Sequence, residues 1–353
     1  MGYLIIVLFI ITIVLALFQE HTKKYNLFIY LLLGITLILV AGFREVGIDP
    51  DSPNYEFTFL HTDESNALDG VEYSYILISK IVLFLSGDVH ELFLFYAILG
   101  VGIKFYAIKK ITKLLFIPII IYIGYYYIMH ECMQIRTGVL SALFLLATKE
   151  IGDGNKKRAF FYILVGTLFH YSGLLLMPFI FLKTSILNKK KRYTWAAFII
   201  VAYILAALGF TFIFNNINLP YIGNKLALYQ QAMEHGKSVN SINLLGVRDL
   251  MTVAIYGYLL VFYDSLSIKN KYFPLMMRIY TISLFVYITF SFFPVLAQRT
   301  FMLYNILTII LYANVYYTFK QKWIGVMAVS LIAFIYLNYS LPNIGTFLLW
   351  EAK

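Results

Sequence analysis

The chain has 353 residues, 61% of them hydrophobic and 18% aromatic, with only 13% charged and a formal net charge of +10. Soluble domains carry about 25% charged residues, so an ordinary soluble domain is excluded, and the alternating pattern of a membrane β-barrel is absent as well. The basic residues fall in short clusters between apolar runs, as expected when Lys and Arg mark cytoplasmic loops, so the charge reports topology and not a nucleic-acid partner.

Apolar runs of about 15 to 20 residues recur from end to end, each able to cross a hydrocarbon core of roughly 30 Å at about 1.5 Å per residue. The expected class is all-α, a polytopic integral membrane protein with a single transmembrane domain over residues 1–353. Tyr3–Phe18 lacks the basic n-region and small-residue cleavage site of a signal peptide and reads as a retained first helix. Lys23 and Lys24 place the next loop inside, and Leu27–Phe43 carries the chain out again. Residues 44–90 form the first outer loop, in which a series of carboxylates running on to Glu91 faces only Arg44 and Lys80. Within it, Tyr75–Leu85 is apolar but too short to cross, which predicts an interfacial or re-entrant helix.

Glu91–Ile108 returns to Lys109, Lys110 and Lys113, and Leu114–Met129 leads out to a short outer loop, His130–Arg136. Thr137–Thr148 comes back to Lys156, Lys157 and Arg158. Ala159–Leu182 is a single apolar run between that cluster and the basic residues of Lys189–Arg192. With both clusters inside, the run crosses an even number of times, which predicts two short helices hinged near His170, Tyr171, Ser172 and Gly173. Interrupted helices at membrane depth are tolerated where the freed backbone is buried in protein or lines an aqueous cavity. His170 is therefore expected at a cavity floor, about 18 Å from the inner edge at about 1.5 Å per residue. Thr194–Phe214 leads to a second outer loop over residues 215–248, with Pro220, His235 and Gly236. Leu250–Tyr263, Pro274–Phe293, Thr300–Phe319 and Trp323–Tyr339 complete a layout of ten crossings plus the hinged pair. In this layout every acidic residue except Glu20, Glu150, Asp153 and Asp264 falls on the outer side, so the outer face is built from carboxylates.

The stretch Ala41–Tyr55 gathers charge, turn residues and aromatics in a chain that is otherwise apolar, and predicts a surface loop handling something anionic or hydroxylated. Arg44, Arg136, Arg248 and Arg299 all fall on the outer side near helix ends, against the positive-inside trend. Guanidinium forks bind phosphate and carboxylate in a bidentate way and stay charged, so a shared anionic ligand is one reading. Snorkelling to lipid phosphates or pairing with the outer carboxylates is the other. Asp49 and Glu72 are candidates for a general base or for holding sugar hydroxyls. Asp49 precedes Pro50, which holds it extended, and an Asx turn or a cap would equally account for it. His170 is a candidate general base because ionisable residues at membrane depth are uncommon and face cavities; a histidine bonding a carbonyl of the broken helix is the structural alternative. Tyr122, Tyr125, Tyr126 and Tyr127 read as an interfacial aromatic belt or, less simply, as a sugar-stacking surface. Cys132 is the only cysteine, which excludes an intrachain disulfide and a cysteine metal site. Six scattered histidines suggest no metal, and no nucleotide-binding loop is visible, so no cofactor is expected.

These residues resemble the EpsG/Wzy family of bacterial polysaccharide polymerases. The matching elements are Arg44, Gly47, Asp49, Tyr55 and Phe59 after the second helix, then Ile135, Arg136 and Gly138 opening a helix. Leu168, Phe169, His170, Ser172 and Pro178 form a third element, and Arg299 with Tyr304 a fourth. The chain departs from the pattern at Thr137, where a Gln is commoner and Gln134 stands nearby, and at the extra Pro53. The resemblance implies a GT-C-like glycosyltransferase that moves a growing glycan from undecaprenyl pyrophosphate to a new lipid-linked repeat unit. That transfer would occur on the outer face of the bacterial inner membrane, without nucleotide or metal. It implies Arg136 and Arg299, with Arg44, on the pyrophosphate, to which the outer-arginine pattern adds Arg248, and His170 or Asp49 as base. It further implies Tyr55, Glu72, Gln134 and Tyr304 on sugars, and a chain-length regulator as protein partner. An O-antigen ligase or a lipid-linked oligosaccharide flippase are the competing expectations.

Overall fold

The computed structural model describes residues 1–64, 70–208 and 242–346, and among these every regular element is helical. They fall into two units: Met1–Thr184 with Asp264–Leu275 and Ile306–Lys353, and Ser185–Tyr263 with Met276–Asn305. Most of the second outer loop, with Pro220, His235, Gly236, Lys225 and Lys237, lies outside the described residues, as do residues 65–69 of the first. Three helices are long and apolar enough to cross a membrane: Val89–Ile111, Pro294–Thr318 and Lys322–Ile344. Val247–Val261 and Tyr263–Lys269, bent by 77°, make a fourth if taken as one span.

The first unit opens with α1 (Gly2–Phe18) and α2 (Asn26–Gly42), followed by α3 (Ser52–Leu60) and α4 (Tyr73–Phe84). The short apolar helix expected near Tyr75 is present as α4, whose buried face is Tyr75, Ile78, Ser79 and Val82. α5 (Val89–Ile111) starts at a capping box in which Asp88 accepts from the backbone of His90 and Glu91 accepts from that of Asp88, satisfying donors that a helix start leaves open. α5 packs on α2 and on α7 (Ile135–Gly152), and α7 packs on α8 (Lys156–Phe169). Gly166 permits the α7–α8 approach, since a Cβ there would meet Leu140 Cδ1 at 2.6 Å. At the far end of α7, burial pushes Asp153 up, but hydrogen bonds from Lys149, Lys271 and Tyr272 outweigh it and hold the carboxyl at about 2.

The apolar run after Arg158 does break where expected. α8 stops at Phe169, His170 is extended (φ −155, ψ 124), and a 3-10 helix, not an α-helix, runs over Tyr171–Phe181. The histidine caps that helix itself, because its Nδ1 accepts the backbone N–H of Ser172.

Two expectations fail between α5 and α7. The tyrosine cluster is not an interfacial belt, and His130–Arg136 is not an exposed loop. α6 (Phe116–Ile121) runs into π-helical turns over Tyr122–Tyr126 and Ile128–Met133. Tyr122, Tyr126 and Tyr127 are fully buried, Tyr125 nearly so, and His130, Glu131 and Cys132 are buried with them. The rings can go inside because their hydroxyls find partners there: Glu131 Oε1 for Tyr122 (2.8 Å), Thr308 Oγ1 for Tyr126 (2.7 Å) and the Leu37 carbonyl for Tyr127 (2.6 Å). Gly124 admits the helix Lys322–Ser340, as a Cβ would meet the Ala333 carbonyl oxygen at 2.5 Å. Glu131 is balanced by Lys104 of α5, whose Nζ lies 2.6 Å from Glu131 Oε1 and 2.7 Å from the Gly138 carbonyl.

The second unit contains α9 (Lys189–Ala207), capped by Asn188, and the helices Val247–Val261 and Pro294–Tyr304. Tyr256 and Tyr280 join Val247–Val261 to the Met276–Thr289 segment, through Thr281 Oγ1 at 2.9 Å and the Thr252 carbonyl at 3.0 Å.

The buried π-helical segment has a direct check. Cys132, the only thiol, is expected to resist a small maleimide in the folded protein and to react fully after denaturation. Rapid labelling of the native protein would restore the exposed-loop assignment.

Candidate functional site

The charged stretch after α2 folds onto itself. Arg44 Nε lies 3.1 Å from Asp49 Oδ2, Nη1 donates to the Ala41 carbonyl and Nη2 to the Cys132 carbonyl, both at 2.7 Å. Its guanidinium sits 3.8 Å over the Phe93 ring, and neither the Arg44 nor the Asp49 side chain is exposed. Asp49 Oδ1 accepts the backbone N–H groups of Asp51 (3.0 Å) and Ser52 (2.9 Å), which is the Asx-turn alternative, and starts α3. Gly47 takes a positive φ of 90 so that its N–H can reach Ser52 Oγ at 2.9 Å. Both Asp49 oxygens are therefore occupied by protein donors.

A second cluster is open to solvent on one side. α3 supplies Tyr55, and the Tyr75 hydroxyl of α4 donates to the Tyr55 carbonyl at 2.7 Å, setting the two rings 5.8 Å apart. Arg136, in the first turn of α7, lies 5.7 Å over the Tyr55 ring and 5.6 Å over that of Tyr75. Its Nη1 pairs with Glu72 Oε2. Glu72 precedes α4 in an extended conformation and caps nothing, so its carboxylate is free to reach across. The other oxygen, Oε1, lies 3.8 Å from His170 Nε2. His170 Nδ1 accepts from the Ser172 N–H at 3.2 Å and lies 2.7 Å from Ser172 Oγ, which leaves Nε2 as the protonated nitrogen of the neutral ring, aimed at Glu72. Arg136 and His170 keep 24% and 28% of their side-chain surface exposed, whereas Glu72 keeps 4%. Glu72 thus forms the floor of the cluster, with the two cationic or protonatable groups at its mouth.

The structure brings Tyr55, Glu72, Arg136 and His170 together, with Arg44 and Asp49 as a separate enclosed pair. Gln134 is half-buried at the junction of the π-helical turns and α7, where its N–H bonds the Met129 carbonyl at 2.7 Å. Arg248, Arg299 and Tyr304 belong to the second unit. There Arg248 Nε lies 3.1 Å from Asp249 Oδ1 and its Nη2 donates to the Tyr287 hydroxyl at 3.1 Å. Arg299 is exposed and Tyr304 buried. Tyr75 and Ser172 are contributors that sequence reasoning did not assign. The signal for Tyr75 was its place three residues after Glu72, in the first turn of the same helix. No group of three or more His, Cys, Asp or Glu side chains able to hold a metal occurs among the described residues.

These features define a helical membrane protein with a carboxylate–arginine–histidine cluster at a broken helix. The profile of the EpsG family matches residues 27–346, and the chain belongs to that family. The amylovoran biosynthesis protein AmsC of Erwinia amylovora is 21% identical over 299 residues, covering 80% of this chain and 77% of that protein. No solved structure matches the chain.

The enclosed pair makes its own prediction. Asp49→Asn leaves Arg44 buried without a counter-charge and is expected to destabilise the protein by about 3–5 kcal/mol, read as thermal unfolding in detergent. An unchanged midpoint would show that the pair contributes nothing to the fold.

Proposed function

We propose that the chain is a glycosyltransferase that polymerises undecaprenyl-pyrophosphate-linked oligosaccharide repeat units at the outer face of the bacterial inner membrane. Membership of the EpsG family and the likeness to a protein of amylovoran biosynthesis support polysaccharide biosynthesis. The single observation that carries the chemistry is the half-open cluster of Arg136, Glu72 and His170. We retain ten crossings, the hinged pair, a GT-C-like architecture and a chain-length regulator as parts of the same proposal.

In the proposed reaction the bond between the anomeric carbon and the lipid pyrophosphate breaks as an acceptor sugar oxygen bonds to that carbon. Negative charge builds up on the departing pyrophosphate, and a fixed guanidinium stabilises it best where water is scarce. Arg136 takes this role, held by the two tyrosine faces and still partly open. The acceptor hydroxyl must lose its proton, and Glu72 with His170 forms the base. Because Nδ1 is engaged by Ser172 and Nε2 carries the ring proton, the acceptor's proton goes to the Glu72 carboxylate, and His170 Nε2–H stands 3.8 Å from its other oxygen. Tyr55 lines the approach. Arg44 and Asp49 act by fixing the loop that presents Tyr55, since their polar atoms are taken up by protein partners. Arg248 and Arg299 are kept as anion contacts of the second unit, and Gln134 and Tyr304 as sugar contacts.

Deleting the gene in its host is expected to collapse the surface polysaccharide ladder to a single repeat unit on its acceptor. Complementation with Arg136→Ala should fail while the variant still inserts in the membrane. Polymerised glycan that stays on its lipid carrier and never reaches the acceptor would favour a ligase, and lipid-linked units trapped at the inner leaflet would favour a flippase. Wild-type chain length in Arg136→Ala would remove the arginine from the mechanism.

A further inference from the structure

The Glu72 carboxylate occupies the place where the proposed ligand should bind. Guanidinium groups recognise carboxylates and phosphates by the same charge-assisted hydrogen bonds, and here Glu72 Oε2 is on Arg136 Nη1. Its other oxygen is 3.8 Å from His170 Nε2, longer than a hydrogen bond but within reach of a rotation about the glutamate side chain. Glu72 is held by side-chain contacts alone at this end, with no cap bond tying it to α4. Arg136 lies against the Tyr55 and Tyr75 rings, 5.7 and 5.6 Å from their centres.

We propose that Glu72 is an internal competitor for the anion site on Arg136. A pyrophosphate that takes Arg136 displaces the carboxylate, which then closes on His170 Nε2. The inference rests on the reading of Arg136 as the pyrophosphate contact and adds an order to it. Before the donor binds, the base is engaged with the arginine and cannot take a proton. After it binds, Glu72 and His170 form their short contact, and the acceptor hydroxyl can be deprotonated. Donor binding thus arms the base, which stays disarmed while the pyrophosphate site is empty. No bond is made or broken in this step.

The competition lowers the apparent affinity for the anion by the fraction of molecules in which Arg136 is not paired with Glu72. The test is binding of inorganic pyrophosphate to the full-length protein in detergent, by calorimetry, for wild type, Glu72→Gln, Glu72→Asp and Arg136→Ala. Glu72→Gln is expected to bind at least about tenfold more tightly than wild type, although it lowers polymer formation. Glu72→Asp keeps the charge but shortens the reach by one methylene, so it too should bind more tightly. If Glu72→Gln tightens binding and Glu72→Asp matches wild type, simple repulsion explains the result and the competition falls. Unchanged or weaker binding in Glu72→Gln also overturns it, with the pyrophosphate reading intact as long as Arg136→Ala abolishes binding. No binding in any form, or equal binding in Arg136→Ala, overturns the pyrophosphate reading itself and the competition with it. Thermal unfolding of each variant monitors folding, and Glu72→Asp decides the question if Glu72→Gln does not fold.

Discussion

The rule that a charge leaving water must be met by another charge governs this structure more than any other, and Lys104 with Glu131 shows what it does. Their side chains are 0% and 1% exposed, in the middle of an apolar helical unit. A lone ammonium or carboxylate there would carry a desolvation penalty of several kcal/mol. Each instead has a hydrogen-bonding partner beyond the ion pair, the Gly138 carbonyl for Lys104 and the Tyr122 hydroxyl for Glu131. Gly100 leaves the room, since a Cβ there would meet Glu131 Oε2 at 2.1 Å. The pair therefore ties α5, the π-helical turns and the start of α7 at one point. Arg136 lies two residues before Gly138, so its position at the cluster is inherited from this buried contact.

The π-helical turns follow from the same demand. An i→i+5 turn is rare, occurs mostly as single-turn bulges inside α-helices and is frequent at functional sites. Across Tyr122–Met133 the wider turns swing Tyr122, Tyr126, Tyr127 and Glu131 inward and bring the Cys132 carbonyl to Arg44. One irregular segment thus serves both buried ion pairs, and through them both walls of the open cluster: α7 with Arg136, and the loop that leads to Tyr55.

Much of this was legible in the sequence, and the boundary of legibility has a physical reason. The helical class and the break at His170 could be read because composition and the spacing of basic clusters are local properties. The stretch around Arg44 and Asp49 was rightly singled out as unusual, yet what it touches could not be read, since Cys132 lies 88 residues away. The tyrosine cluster misled for a related reason. An aromatic run at a helix end looks the same whether it meets lipid headgroups or a hydroxyl partner inside, and the partners Leu37, Glu131 and Thr308 come from three separate stretches. Nothing in the sequence singles out Lys104 within Glu91–Ile108, because its carboxylate partner is 27 positions on.

Arg44 and Arg136 show why residue type alone does not assign a role. Both lie at helix ends on the side drawn as outer, both lie over aromatic rings and both pair with a carboxylate. Arg44 donates in addition to two backbone carbonyls and is fully enclosed, so any ligand would have to break three protein contacts to reach it. Arg136 has one carboxylate partner among the described residues and keeps a quarter of its side-chain surface open. A guanidinium with each of its three nitrogens bonded to protein stabilises a fold. One held in place but incompletely occupied can stabilise charge that arrives later, which is the requirement that a pyrophosphate leaving group imposes.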